Sequence, residues 1–235
     1  ASSGEIVPWA VKAVWRGQDI SSLGNVGTGT WAFIIDSGIL DTTGDLNVNT
    51  SWSRSWVTGE SPFTDGVGHG THVAGTIAAL ANGIGVVGVA PGAEVVSLKV
   101  FDSLGGGASY STIIAALDYA VSVITTNALD PLKVVINMSL GGPYSSSLDT
   151  AVRNAADLGI RLAVAAGNGD ASGNGVDADT VSPASAGDHP NVYTVSAVDS
   201  LYQMATFSNW DRIDASDSVD DVDVAAPGVD VLSYN

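Results

Sequence analysis

The chain has no cysteine, so neither a disulfide framework nor a thiolate metal site is open to it. It is also poor in basic residues: 8 Lys and Arg stand against 25 Asp and Glu, a formal net charge of −17. That scarcity argues against nucleic acid as a partner, because phosphate binding needs clustered Lys and Arg. Charged residues of both signs reach only 14% of 235 positions, well below the roughly 25% of an average globular domain. No apolar stretch approaches the roughly 18 residues of a membrane span, so a membrane partner is not expected. What is present is 45% hydrophobic residues and 28 glycines, enough to bury a core around many tight turns. A disordered acidic tail is thereby excluded, since such chains lack the apolar residues to fold.

The acidity is one-sided in kind and place. Of the 25 acids, 22 are Asp, and only Glu5, Glu60 and Glu94 are Glu. From Leu162 onward there are 12 Asp and one basic residue, Arg212. Asp suits turns and helix caps, and it supplies oxygen ligands for hard cations. A self-repelling, soluble surface accounts for most of them. The opening Ala-Ser-Ser-Gly-Glu has no signal-peptide character, which leaves a cytosolic chain or a mature secreted form.

Short β-branched runs alternate with alanine-rich stretches. The spacing predicts strands at Trp31–Ile35, Glu94–Val100, Val134–Met138, Arg161–Ala165, Val192–Ala197 and Val222–Ala225. It predicts helices at Thr71–Ala81, Ser109–Ala128 and Ser146–Leu158. Alternating strands and helices imply an α/β fold in three layers, a mostly parallel sheet with helices on both faces. Functional groups then gather at the carboxyl ends of the strands. No repeat or linker is visible, so one domain over residues 1–235 is expected, with Gly167–Asp179 as an insertion between strands.

Four strand ends carry polar groups. Trp31-Ala-Phe-Ile-Ile runs into Asp36-Ser-Gly38, where the acid is a turn cap or a site residue. Gly68-His-Gly-Thr-His-Val-Ala-Gly75 puts His69 at the start of a helix. His69 and His72 could share a metal, but no third ligand is near; a histidine backed by a buried Asp is instead the usual orienter–base pair of nucleophilic catalysis. His72 is read as a packed core residue. Val135-Ile-Asn-Met-Ser-Leu-Gly-Gly142 is a buried strand entering a glycine turn. Ala163-Val-Ala-Ala-Gly-Asn168 ends in an amide that is either a turn residue or a donor to an oxyanion.

Together with Val87-Gly-Val-Ala-Pro91 and Ala225-Ala-Pro-Gly228, these motifs in this order resemble the subtilisin-like serine proteases (subtilases) over nearly the whole chain. The resemblance implies a subtilisin-like fold and a serine endopeptidase acting on protein or peptide substrates. It implies that Asp36 orients His69, that His69 is the base, and that Asn168 donates to the oxyanion. Ser139, Leu140, Gly141, Ala166 and Gly167 would line the pocket for the residue before the scissile bond. Gly105, Gly106 and Gly107 would pair an extended substrate along its backbone, although a plain flexible turn is an equal reading. A calcium site is implied as well: the backbone oxygens of Leu80, Ile84 and Val86, the side chains of Asn82 and Asp45, and Glu5 where the family has Gln. Six oxygens from three segments make a sensible calcium shell, against the alternative of an Asn-Gly turn. An extracellular location is expected by the same resemblance.

One part of the pattern is missing. The family's nucleophile lies in a Gly-Thr-Ser-Met-Ala-like motif beyond the Ala-Pro-Gly. The Gly-Thr pairs at 27, 29, 70 and 75 are followed by Gly, Trp, His and Ile. Ser139 and Ser208 belong to other family motifs. Three explanations stand: an enzyme nicked after Asn235 whose carboxyl-terminal piece persists as a partner chain, a truncated fragment, or a calcium-stabilised peptide-binding relative without activity. Retention of Asp36, His69 and Asn168 together favours the nicked enzyme.

Overall fold

The computed structural model describes residues 4–18, 24, 26–211 and 221–234; Arg212 and Asn235 lie outside them. Seven parallel strands form one sheet, β1 (Trp31–Asp36), β2 (Arg54–Ser55), β3 (Glu94–Lys99), β4 (Val134–Met138), β6 (Arg161–Ala165), β8 (Val192–Val198) and β9 (Val224–Pro227). A small antiparallel pair, β5 (Gly142–Pro143) and β7 (Val181–Ser182), stands apart from it. Among the described residues four α-helices accompany them: α1 (Trp9–Val14), α2 (His69–Ala78), α3 (Tyr110–Thr126) and α4 (Ser146–Asp157). The expected three-layer α/β architecture is what the chain adopts.

The strand order is β2-β3-β1-β4-β6-β8-β9. After β1 the chain builds outward on one side through β3, then returns to build the other side from β4. Right-handed crossovers therefore place the helices of the two halves on opposite faces. Phe33 and Ile35 point into the larger core with α3 and α4. Ala32 and Ile34 point into a smaller core under α2. The carboxyl ends of β1 and β4 flank the point where the order reverses, which is where crevices open in such sheets.

Coverage of the two faces is unequal. Val134, Ile136 and Met138 of β4 are buried, as are Leu162 and Val164 of β6. On the opposite face Val135 and Tyr193 are each 37% exposed, and Ala163, Ala165, Val195 and Ala197 line an open cavity of about 440 Å³ beside α2.

Several boundaries differ from the periodicity by one to three residues, and three of them have a visible cause. Helix α2 begins at His69 rather than Thr71, because Asp65 accepts hydrogen bonds from the Gly68 N–H (2.8 Å), the Thr71 N–H (2.9 Å) and the Thr71 hydroxyl (2.7 Å). It stops at Ala78 rather than Ala81 because Leu80 turns away to donate its N–H to the Asp45 carbonyl. Strand β9 starts at Val224 rather than Val222, since the Asp223 carboxylate takes the Thr194 N–H (2.8 Å) before the ladder can begin. The segment Gly167–Asp179 is a loop down to Asp177, closed by a short 3-10 turn at Ala178–Thr180.

Candidate active site

Asp36 ends β1 and His69 opens α2, 33 residues apart in sequence. Close packing of Gly70 brings them together, since a Cβ there would overlap the Gly38 carbonyl oxygen and sit 3.2 Å from the Asp36 Cβ. The His69 Nδ1 lies 2.8 and 3.0 Å from the two Asp36 oxygens. Asp36 is 1% exposed whereas the His69 side chain is 52% exposed, so the buried member is the acid and the ring reaches the surface. One Asp36 oxygen also accepts the Ser37 N–H at 2.7 Å.

The hydrogen bond to Asp36 raises the His69 pKa above 6.5; burial opposes this, and the charges of Asp36 and Asp65 add to the rise. For Asp65, burial pushes upward, but hydrogen bonds from Thr71, Ser37 and Gly68 outweigh it and hold the carboxyl below its ordinary value. With Nδ1 occupied, Nε2 is the ring nitrogen left for chemistry.

Around His69 the predicted residues assemble in three adjoining cavities. Asn168, Ala166, Gly167 and Ser139 line the 440 Å³ cavity together with His69. Gly105, Gly106, Ser139, Leu140 and Gly141 line a cleft of about 230 Å³ that also contains Asp36 and His69. A third space of about 370 Å³ joins Ser139, Leu140 and Gly141 to Gly167 and Asn168. Gly107 is outside all three, and a Cβ there would meet nothing within 4 Å. His72 is engaged with the backbone, its Nε2 3.0 Å from the Val231 carbonyl oxygen.

These features, an acid–imidazole pair at the switch point of a parallel sheet with an Asn-bearing loop opposite, coincide with a family match. Residues 27–235 match the Subtilase family of S8 peptidases. The chain belongs to the subtilases. It is 42% identical over 229 residues to Subtilisin E of Bacillus subtilis (strain 168), covering 97% of this chain and 54% of that protein. It is 41% identical to a Subtilisin of Bacillus pumilus, covering 97% and 74%. Among solved structures, the S41 psychrophilic protease superposes with a TM-score of 0.80 at 33% identity, over 99% of this chain and 76% of that one. A cold-adapted subtilisin-like serine proteinase gives 0.69 at 32%, over 90% and 67%. The chain thus spans about half the length of the first of these curated relatives.

Motif reading did not single out a residue that organises the site of this subtilase. Asn209 is fully buried. Its Nδ2 donates to the Ala166 carbonyl (2.8 Å), and its Oδ1 accepts the N–H groups of Gly169 (2.9 Å) and Val176 (3.0 Å). Its own N–H donates to the Gly167 carbonyl. The loop carrying Asn168 is therefore clamped on both sides by one amide. Ser208 next to it is buried and accepts the Ala197 N–H.

The residues expected around calcium are also gathered. Asn82 Nδ2 donates to Asp45 Oδ1 at 2.9 Å, the Gly83 N–H donates to Glu5 Oε1 at 2.7 Å, and the Leu80 N–H donates to the Asp45 carbonyl. Ile6 bridges Val86 in parallel, tying the Glu5 segment to the loop, and the Ile84 N–H caps the Asn82 Oδ1 at 3.1 Å. Asp45 is fully buried and its Oδ2 has no hydrogen-bond partner. Only glycine fits over that oxygen at position 85, where a Cβ would lie 2.6 Å from it. Burial first, and then the charges of Asp41 and Glu5, raise the Asp45 pKa against the lowering bond from Asn82. An orphaned, buried, charge-repelled carboxylate oxygen fits a bound cation. A separate acidic group, Asp177, Asp179 and Asp211, brings one oxygen each within 4.8 Å of the others; the motifs had not pointed to it.

Proposed function

We propose that this subtilase chain forms the acid–base part of a serine endopeptidase, as one peptidase domain completed by a serine-bearing segment outside the 235 residues. The observation that carries the reading is the Asp36–His69 contact with the half-exposed ring bordering a cavity opposite Asn168. The open sheet face beside α2 supports the rest. Its apolar lining of Ala163, Ala165, Val195 and Ala197 asks for a covering element, since contiguous apolar patches are rarely left in water.

In the proposed reaction the serine oxygen adds to the peptide carbonyl while its proton passes to His69 Nε2. Asp36 holds the ring and offsets the imidazolium charge. Asn168 donates a hydrogen bond to the oxyanion, a type of contact worth about 10²–10³-fold in rate. The C–N bond then breaks, His69 returns the proton to the leaving amine, and water hydrolyses the acyl-serine by the same base. Ser139, Leu140, Gly141, Ala166 and Gly167 would hold the side chain before the scissile bond, and Gly105–Gly107 would pair the substrate backbone.

Calcium would be held by Asp45, Asn82, Glu5 and the carbonyls of Leu80, Ile84 and Val86, and bound there it supplies charge compensation and a clamp on the amino-terminal segment. Asn82 now donates its amide nitrogen to Asp45, so binding would require its side chain to present oxygen. An extracellular setting agrees with the strongly acidic composition; among the described residues no helix is long and apolar enough to cross a membrane.

The test is to treat casein-cleaving protein with a fluorophosphonate and map the adduct by peptide mass. We expect the label on a serine outside these 235 residues. A label on Ser139 or Ser208 would overturn the reading.

A further inference from the structure

Lys99, the last residue of β3, is completely buried, and among the described residues it is the one cationic side chain so enclosed. A buried ammonium is costly unless it is paired and hydrogen-bonded, so its partners indicate what the fold gains from it. Its Nζ donates to the Ser37 carbonyl and lies 3.1 Å from Glu60 Oε2. Ser37 follows Asp36 directly, and Lys99 is the register partner of Asp36 in the sheet. Glu60 belongs to the segment that leads through Asp65 to His69.

Glu60 has a second attachment. Its carboxylate accepts the Ser103 N–H at 3.1–3.2 Å and the Ser103 hydroxyl at 2.5 Å. Beyond Ser103, Asp102 accepts the N–H groups of Leu104 and Gly106, each at 2.9 Å. The backbone of Gly66 presses on Ser103, where a Cβ on residue 66 would lie 2.7 Å from the Ser103 Cβ. The ion pair therefore joins three pieces: the strand end bearing Asp36, the approach to His69, and the root of Gly105–Gly107.

We propose that Lys99 and Glu60 are positioning residues that set the substrate-pairing segment Gly105–Gly107 at a fixed distance from the Asp36–His69 pair. The proposal rests on the peptidase reading above. Surface ion pairs contribute little, but this one has a buried cation and charge-assisted bonds at both ends. Its effect should depend on substrate length. A peptide with three or four residues before the scissile bond must touch both the pairing segment and the imidazole, whereas an ester of a single acylated amino acid reaches only the latter. Misplacement by about 1 Å can cost on the order of 10²-fold in rate, so a loosened tether should cost about tenfold on the long substrate alone.

The experiment compares Glu60→Gln and Ser103→Ala with the parent in the serine-containing protein. Each is assayed on a tetrapeptide anilide and on a single-residue ester, with Tm recorded for each variant. The expected result is a drop of about tenfold in kcat/KM for the tetrapeptide, with the ester rate and its pH profile unchanged. Equal losses on both substrates, or no loss on the tetrapeptide, would overturn the positioning role. Should Glu60→Gln fail to fold, Ser103→Ala removes only the hydroxyl bond to Glu60 and tests that end of the tether by the same two readouts. A parent protein that cleaves neither substrate and takes up no fluorophosphonate would overturn the peptidase reading and this proposal with it.

Discussion

At the scale of single residues, His69 sits in the field of two carboxylates, and that field has a measurable consequence. In the proposed reaction its neutral form is the base, and contact with Asp36 raises its pKa above 6.5. The acid limb of kcat/KM should accordingly fall at a pH above the ordinary histidine value. Asp36→Asn keeps the shape but removes the charge and favours the wrong tautomer. We expect kcat to drop about 10⁴-fold, the general size of losing a triad carboxylate, and the remaining acid limb to move to lower pH. A pH–rate profile of the two proteins reads both. The pair also bears on stability: an imidazole whose pKa is raised on folding stabilises the native state below pH 6.5, and that contribution is lost as pH rises through the folded pKa.

At the scale of elements, the first turn of α2 is where packing becomes chemistry. Gly70 allows the helix to rest on the end of β1, so Gly70→Ala must push two backbones apart. Overpacking of this kind costs about 1–3 kcal/mol, and because His69 is the neighbouring residue, activity should fall further than stability. Urea unfolding set beside kcat/KM would show the disproportion; a stability loss with unchanged kcat would contradict it. The loop Ala79–Val86 is the second such element. With Asp45 buried beside Asp41 and Glu5, the folded, metal-free state holds a proton more tightly than the unfolded chain. Its stability therefore declines as pH rises from 3.8 through the raised pKa. Calcium at about 100 times its Kd would add roughly 2.7 kcal/mol. Chelation at pH 7 should then lower Tm by about 5–10 °C, given roughly 2–4 °C per kcal/mol at this size. Asp45→Asn should reverse in sign with the ion: less stable than the parent with calcium, more stable without it. Calorimetry with and without chelator checks the crossing.

At the scale of the whole molecule, acidity concentrates in the carboxyl-terminal third and folds partly inward. Asp221 is pushed up to about 8 by burial, then by Asp179, Asp188 and Asp211. A carboxyl raised on folding costs stability as pH climbs from 3.8 to about 8. In metal-free buffer, Asp221→Asn should raise Tm by a few degrees at pH 8 and leave it nearly unchanged at pH 4. Thermal melts across that range would show the difference shrinking toward acid, and a constant offset would refute the titration. The same net charge of −17 makes the compact state self-repelling, so moderate salt should stabilise parent and variant alike.

Much of this subtilase could be read from its order of residues. Trp31-Ala-Phe-Ile-Ile specifies a strand covered on both sides, and the apolar spacing of Ser109–Ala128 specifies a helix, found at Tyr110–Thr126 with Ser109 as its cap, because period is a local property. Asp36, His69 and Asn168 could be named because each stands in a motif at the end of such an element. Other features belong to tertiary structure alone. That Asp36 meets His69 depends on strand order and on the Gly70 contact. That Asn209 clamps residues 166–169 from 40 positions away, that Lys99 is buried against Ser37 and Glu60, and that Asp221 meets Asp179 depend on which loops share a sheet end. Local periodicity carries no information about those neighbours. The sequence by itself determined the elements and the chemistry available at their ends; packing of the sheet decided the distances, because burial and charge act between groups that meet only after folding.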